Sequence, residues 1–345
     1  MFASCQLASP FRAHYQRAVS PGAGREATKG ARLAGLVEIP SNPIPKGAVT
    51  GIVTTDDGVD LRYARWPPNR SPVRGTIVIL HGRTEFIEKY FETINDLRRR
   101  GFAVASFDSR GQGGSARLLG NPRKGHVRDF ADHVNDFDAV MQQVVLPDCP
   151  PPYYVLGHST GATIALLSAE RLRTQIDRIV LTAPLLGLAY GSPRWLMRMT
   201  GFLMHFGLGE AFAPGGGTTL IQRQPFAGNL LTNDAERFQR GLAVVEAEPS
   251  LGVGGATIGW LNAAMRACCR LAEPDFGEKV PMPVLMVLAG SESVVSNYAA
   301  EEFSRRVKTA AHLRIPGARH EILMEINQYR DQFWVAFDAF IEGRK

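Results

Sequence analysis

The chain has 345 residues, 45% hydrophobic and 21% charged, which is enough for one large α/β domain with an insertion or for two domains. The formal net charge is +6, but residues 1–46 carry six basic residues against two acidic ones, which leaves about +2 for the rest. With no basic stripe of interleaved aromatic residues, this charge argues against nucleic-acid binding. No apolar run approaches the roughly 20 residues that span a bilayer.

Residues 1–35 are rich in Ala, Gly, Arg and Ser and lack hydrophobic periodicity. We expect a basic, disordered extension or a misassigned start. Because the segment is Arg-rich and acid-poor, an organellar transit peptide is the alternative. The four cysteines show no framework or metal-site spacing, which indicates reduced thiols and a cytoplasmic location.

From residue 49 onward, β-favouring runs alternate with helical patterns. Asp56-Asp57-Gly58 between two such runs predicts a hairpin. The next strands are continuously apolar, which is typical of parallel strands covered on both faces. The alternation predicts a doubly wound α/β sheet. The predicted strands are 51–55, 60–66, 76–80, 102–107, 153–156, 178–182, 283–288 and 312–315; the main predicted helices are 87–100, 127–145, the segment after Ser159, 298–307 and 328–341.

The alternation stops after Pro184 and resumes at Pro283. About a hundred residues without this alternation lie between them, including an apolar stretch at 195–206 and a glycine-rich break at 214–217. We expect this insertion to cover the carboxyl edge of the sheet, where such folds bind ligands. Residues 195–206 fit either a lid over an apolar substrate or a core helix of the insertion.

Ser159 lies in Gly157-His158-Ser159-Thr160-Gly161, between an apolar strand and an alanine-rich helix. A serine at such a sharp turn needs small neighbours two residues before and two residues after it, and both are glycine here. The turn exposes the hydroxyl above the carboxyl end of the strand. Ser159 is therefore the candidate nucleophile.

A serine hydroxyl needs a base, and a histidine base needs a carboxylate that fixes its tautomer. In this architecture the order along the chain is nucleophile, acid, base, each following a strand. Glu292 follows the strand at 283–288, and His320 follows the last strand. Aspartate is the commoner acid, but none occupies the loop that holds Glu292.

An oxyanion hole needs two backbone N–H groups that point at the developing charge. We expect one from Thr160, after the nucleophile, and one from Arg83, in the loop after the strand at 76–80. The Arg83 side chain fits either an anionic head group or a salt bridge to Glu85 or Glu88. The glycine-rich loop 108–115 lacks the spacing of a phosphate loop, and we interpret it as a tight connection that supports the site.

These residues together resemble the serine hydrolases of the monoacylglycerol lipase and bacterial inner-membrane lysophospholipase family. The resemblance runs from about residue 37 to residue 341 and implies the catalytic set Ser159, Glu292 and His320. Two departures affect the acyl pocket: Thr160 stands where methionine is usual, and Ala162 stands where a second glycine is usual. The matching stretches are 81–83 with Glu85, 110–113, 125–127 with Phe130 and Asp132, Ser159 in its turn, 182–184, 253–257, Glu292 with 294–295 and Asn297, and 320–325.

The expected fold is an α/β-hydrolase with a helical cap, divided into an extension at 1–35, core segments at 36–184 and 281–345, and a cap at 185–280. The expected reaction is hydrolysis of a lysophospholipid or a monoacylglycerol, without metal or cofactor. We leave open peripheral contact with the inner face of a membrane and the oligomeric state. Rival interpretations are a small-ester hydrolase, a serine aminopeptidase for which Glu246 and Glu248 are candidate carboxylates, and a binding protein without catalysis.

Overall fold

In this computed structural model, residues 35–220 and 225–343 are described, so almost all of the predicted basic extension lies outside them. Within the described residues, eight strands form one sheet in the order β1-β2-β4-β3-β5-β6-β7-β8. Strand β2 is antiparallel to both of its neighbours, and the other pairings are parallel. The strands are β1 Val49–Thr54, β2 Asp60–Trp66, β3 Thr76–Leu80, β4 Ala103–Phe107, β5 Tyr153–His158, β6 Ile176–Thr182, β7 Val284–Ala289 and β8 Ala310–Ile315.

The predicted hairpin at Asp56-Asp57-Gly58 is confirmed. Thr54 pairs with Asp60 at its closed end, and Gly58 has φ of +78°, which an L side chain adopts only with strain. The prediction of strands buried on both faces is also confirmed, because every residue of β3, β4 and β7 is buried. These apolar strands form the middle layer of the molecule.

Helices cover both faces of the sheet, as the alternation predicts. Side chains of α1 and α9 pack on one face, and those of α2, α4, α7 and α8 pack on the other. A 3₁₀ turn at Ile87–Tyr90 precedes α1, and a π turn at Met141–Val145 follows α2. The helices are α1 Phe91–Arg99, α2 Phe130–Val140, α3 Leu146–Asp148, α4 Thr160–Ser168, α5 Pro193–His205, α6 Ala235–Ala247, α7 Ile258–Leu271, α8 Asn297–Arg306 and α9 Asn327–Glu342.

Two helix starts differ from the predicted ones for identifiable reasons. Helix α2 begins at Phe130 rather than residue 127, because the carboxylate of Asp129 accepts a hydrogen bond from the Ala131 N–H and caps the helix there. The segment predicted as one helix from residue 87 begins as the tighter 3₁₀ turn. There the Ile87 N–H donates to the carboxylate of Asp108, which ties the chain to the neighbouring loop.

The connection between β6 and β7 contains α5, α6 and α7. Helix α7 packs into the main core through Ala264 and Met265. Helix α5 packs against the same core only through the partly buried Leu196 and Met197, and among its residues only Thr200 is buried, so the helix has one packed face and one exposed face. No helix within residues 35–220 and 225–343 has the length and apolar character needed to cross a bilayer.

Candidate active site

Ser159 lies at the sharp turn between β5 and α4, with φ of +50° and ψ of −111°. A Cβ atom on Gly161 would lie 2.0 Å from the carbonyl oxygen of Leu80, and one on Gly157 would lie 2.9 Å from the Cα atom of Ala162. Only glycine fits at either position. The two glycines therefore let the turn press against β3 while Ser159 holds a strained conformation, which costs about 1–3 kcal/mol.

His320 and Glu292 lie beside this serine, although they are distant from it in sequence. His320 is 161 residues away from Ser159, and Glu292 is 28 residues away from His320. The Nε2 atom of His320 is 3.1 Å from the Oγ atom of Ser159. Its Nδ1 atom is 2.9 Å from Oε2 of Glu292. Both distances are hydrogen-bonding distances, so the hydroxyl, imidazole and carboxylate form one continuous chain.

Glu292 is held in one orientation by its own loop. Its Oε1 atom accepts hydrogen bonds from the backbone N–H groups of Ser293, Val294 and Val295, which leaves Oε2 for His320. Burial alone would raise the pKa of Glu292, but the hydrogen bond and charge of His320 and these N–H groups outweigh it and lower the pKa. The acid is therefore a carboxylate at neutral pH.

A second imidazole, that of His158, lies with its ring centre 5.0 Å from that of His320. Burial lowers the pKa of His158 to about 4, so this ring is uncharged at neutral pH. Its Nδ1 atom lies 3.1 Å from the hydroxyl of Thr182. Sequence reasoning assigned no role to His158, and its position beside Ser159 in the chain was the available signal.

The loop after β3 is fixed by hydrogen bonds to its backbone. The Gly82 N–H donates to Oε2 of Glu85 at 2.6 Å, and the Thr84 N–H donates to Oε1 of Gln112. Gln112 belongs to loop 108–115, so that loop supports the site as expected. Thr84 has φ of +64°, and the two hydrogen bonds, which lie on either side of Arg83, hold the backbone of Arg83 in place.

A buried ionic network lies under the same loop. The Lys89 ammonium contacts Glu85 at 2.8 Å and Glu321 at 2.5 Å, and the Tyr90 hydroxyl donates to Glu85 at 2.7 Å. Burial alone would raise the pKa of Glu85, but Lys89 and the other partners lower it. Since Glu321 follows His320, the network joins the loop after β3 to the loop that carries the histidine. Sequence patterns did not reveal this long-range connection.

A cavity of about 250 Å³ opens beside Ser159. Arg83 of the loop after β3 and Thr160 at the start of α4 are both among its lining residues. Its remaining wall is largely apolar, formed by Leu185, Leu188, Leu231, Trp260, Leu261, Val294 and Val295. An apolar wall with few polar groups is typical of a site for a small organic molecule.

The side chain of Arg83 pairs with neither of the predicted carboxylates. Glu88 pairs with Arg62, and Glu85 pairs with Lys89. The Nη2 atom of Arg83 donates to the carbonyl oxygen of Gly254 at 2.7 Å, and the guanidinium lies 5.0 Å from the ring centre of Trp260. The predicted salt bridge is therefore wrong, and Arg83 is among the residues that line the cavity.

A sheet in this order, with a serine at the turn after β5 and a histidine after β8, defines the protein as an α/β-hydrolase. A family model described as serine aminopeptidase, S33 (Hydrolase_4) matches residues 71–327. The chain belongs to this family.

Named relatives agree with this placement. The chain is 33% identical over 302 residues to lysophospholipase L2 of Escherichia coli K12, covering 83% of this chain and 84% of that protein. It is 26% identical over 280 residues to monoacylglycerol lipase of Mycolicibacterium smegmatis, covering 79% and 89%. A crystal structure of a monoglyceride lipase from Saccharomyces cerevisiae aligns with a TM-score of 0.66 at 20% identity, covering 86% and 96%, which supports the fold.

Proposed function

We propose that this protein is a serine hydrolase that cleaves the carboxylic ester of a single-chain lipid, a lysophospholipid or a monoacylglycerol. The observation that carries the proposal is the hydrogen-bonded chain from Ser159 through His320 to Glu292, at the edge of a largely apolar cavity. The printed functions of relatives, lysophospholipase and monoacylglycerol lipase, support the same reaction class.

In the proposed mechanism the Oγ atom of Ser159 attacks the ester carbonyl while His320 Nε2 takes the hydroxyl proton. Glu292 keeps the proton of Nδ1 facing its carboxylate and stabilises the imidazolium. The backbone N–H groups of Arg83 and Thr160 hold the oxyanion. His320 then gives its proton to the leaving alkoxide, and the C–O bond breaks to leave an acyl-serine. Water, deprotonated by the same histidine, releases the fatty acid, and Ser159 regains its proton; these steps need no cofactor.

We propose the division into a core of residues 36–184 and 281–345 and a cap of residues 185–280. It is supported by the composition of the cavity wall: Ser159 and His320 come from the core segments, whereas Leu188, Leu231 and Trp260 come from the insertion. A substrate in this cavity would lie between the two parts. The cap would then set which acyl chains fit.

The family description raises aminopeptidase activity as a second candidate, which would need a carboxylate for the substrate ammonium group. Glu246 is exposed and does not line the cavity, and Glu248 accepts a hydrogen bond from the Ser250 N–H. The described carboxylates that do line it, Glu85 and Glu321, both pair with Lys89. The cavity therefore favours an ester substrate.

For location we propose a cytoplasmic protein that contacts the inner face of a membrane through α5. The helix exposes Trp195, Met199 and Phe202, which share one face, and Phe206 directly follows it. Exposed aromatic side chains of this kind suit the boundary between head groups and acyl chains. Arg194 and Arg198 on the same helix suit anionic lipids.

Vesicle co-sedimentation tests this location. We expect the double variant W195S/F202S to lose most of its binding to phosphatidylglycerol-containing vesicles. Val335→Ser is the matched control, because Val335 is 70% exposed on α9, far along the chain from the insertion, and should bind as the wild type does. Equal binding by all three proteins, or none by the wild type, would exclude contact through α5.

The test of the reaction is fatty acid release from a lysophospholipid and from a monoacylglycerol. We expect Ser159→Ala to lower kcat by about 10⁴-fold or more, because the nucleophile is removed. Retained release by Ser159→Ala would exclude the proposed nucleophile. If a short ester is hydrolysed but neither lipid is, the reaction class stands and the lipid assignment fails.

A further inference from the structure

The cavity beside Ser159 is lined in part by an arginine, Arg83, that has no counter-charge among the described residues. Among the residues that the structure describes, no carboxylate lies within salt-bridge distance of the Arg83 guanidinium. Its Nε atom is buried and has no hydrogen-bond partner there. One of the donors of the guanidinium, on Nη2, is used by the carbonyl oxygen of Gly254.

Such an arrangement is unfavourable unless something else compensates it. Burying a charge without a partner costs several kcal/mol, and proteins pair or hydrate such groups. Arg83 as a whole is half-buried, and burial lowers its pKa to about 10, which still leaves the guanidinium charged at neutral pH. The neighbouring ring of Trp260 supplies a cation–π contact and holds the guanidinium plane, but it offers no hydrogen-bond acceptor to Nε.

A second polar group in the same cavity also lacks a partner. The hydroxyl of Thr160 is buried without a hydrogen bond to the described residues, and this residue follows the nucleophile. Because the Arg83 Nε atom and the Thr160 hydroxyl are both buried, a ligand in the cavity would reach the guanidinium through its terminal nitrogens.

We propose that the Arg83 guanidinium binds the phosphodiester group of a lysophospholipid substrate. This inference rests on the proposed lipid-ester hydrolysis and deepens it by choosing between the two substrate classes. A phosphodiester supplies the negative charge and the acceptor oxygens that Arg83 lacks, and arginine binds such groups through a planar set of donors. A monoacylglycerol supplies hydroxyl groups but no charge.

The experiment compares kcat/KM for two substrates that share a palmitoyl chain, 1-palmitoyl-lysophosphatidylethanolamine and 1-palmitoylglycerol. We expect the wild type to prefer the lysophospholipid. In Arg83→Met the preference should fall by about 10- to 100-fold, the range of a lost charge-assisted hydrogen bond. Methionine keeps a long side chain over Trp260 and leaves the backbone N–H of residue 83 in place. Arg83→Lys keeps the charge without the planar set of donors. Its substrate preference should lie between that of the wild type and that of Arg83→Met.

Arg123→Met is the matched control for charge alone. Arg123 also donates to backbone carbonyls of the insertion, those of Pro249 and Gly252, but it does not line the cavity. Its loss should leave the substrate preference at the wild-type value. A fall as large as that of Arg83→Met would show that the net positive charge of the region, rather than Arg83, sets the preference, and would overturn the proposal.

Inhibition by the head group alone gives an independent measurement. The substrate is an uncharged short ester, p-nitrophenyl butyrate. Glycerophosphoethanolamine should inhibit its hydrolysis competitively in the wild type and at least 10-fold more weakly in Arg83→Met. Glycerol should have the same effect on both proteins. If Arg83→Met hydrolyses both lipids with the wild-type preference, the Arg83 proposal is overturned and lipid-ester hydrolysis stands. If the wild type hydrolyses p-nitrophenyl butyrate but neither lipid, the lipid function fails and the inference fails with it.

Discussion

Arg62 lies in β2 and Arg83 lies in the loop after β3, and the surroundings of their two charges are opposite. The side chain of Arg62 is fully buried and contacts two carboxylates, that of Glu88 at 2.7 Å and that of Asp108 at 2.6 Å. Arg83 has a buried Nε atom and no carboxylate partner among the described residues. Burial alone would lower the pKa of either arginine. In Arg62, Asp108 and Glu88 outweigh it and raise the pKa, whereas in Arg83 the pKa falls to about 10.

The partnered arginine belongs to the framework that supports the site. Asp108, which Arg62 contacts, also accepts hydrogen bonds from the N–H groups of Ile87 and Gly114. Arg62 therefore stabilises the start of the 3₁₀ turn before α1 and the loop 108–115 together. The unpartnered arginine lines the cavity. We interpret the paired charge of Arg62 as part of this framework and the unpaired charge of Arg83 as part of a binding surface.

The strongest test of this difference between Arg62 and Arg83 is to remove each charge and measure the free energy of unfolding. Arg62→Met should cost about 3–5 kcal/mol, because it leaves Glu88 and Asp108 buried without their cation. Arg83→Met should change stability by less than about 1 kcal/mol, because no described carboxylate loses its cation. Urea titration of both variants and the wild type gives the three values.

The contrast depends on the difference between the two variants. Equal destabilisation by both substitutions would mean that Arg83 has a structural role, and the distinction between framework and binding charges would fail. A small cost for Arg62→Met would mean that Glu88 and Asp108 find other compensation, by protonation or by water.

Local signals were sufficient to predict most of the fold and the positions of the candidate site residues. The Asp57-Gly58 turn, the two glycines around Ser159 and the continuously apolar strands each depend on neighbours within a few residues. The order of Ser159, Glu292 and His320 follows from the order of strands in a parallel sheet, whose carboxyl ends share one edge. The hydrogen-bonded contact of these three side chains agrees with that expectation.

The partners of buried charges could not be predicted in the same way. Proximity in sequence suggested Glu85 or Glu88 for Arg83, but Arg62, which is 26 residues away from Glu88, contacts that carboxylate, and Lys89 contacts Glu85. Lys89 also contacts Glu321, 232 residues away. Such pairs depend on how strands and loops meet in space. For the same reason, the apolar composition of α5 did not reveal that this helix exposes Trp195 and Phe202.

Glu92 offers a test with a smaller expected effect, because its ion pairs are only partly buried. It lies in α1 and contacts Arg237 and Arg240 of α6 and Arg330 of α9, at 2.6, 2.8 and 3.0 Å. Burial alone would raise its pKa, but the hydrogen bond from Arg237 and the neighbouring guanidinium groups outweigh it and lower the pKa to about 2. Since its side chain is 26% exposed, solvent screens these contacts, and Glu92→Gln should cost only about 1 kcal/mol at pH 7.

The pH dependence of that cost identifies its electrostatic origin. A carboxylate whose pKa is lower in the folded state stabilises the fold fully above its unfolded pKa of about 4.3, and the contribution disappears as the pH falls through about 2. The difference between wild type and Glu92→Gln should therefore be smaller at pH 3 than at pH 7. Glu236→Gln is the control, because Glu236 is 88% exposed beside Arg240 and should cost almost nothing at either pH. A difference for Glu92→Gln that is equal at pH 7 and pH 3 would assign the effect to packing, and the ion pairs of Glu92 would then contribute no more than those of an exposed carboxylate.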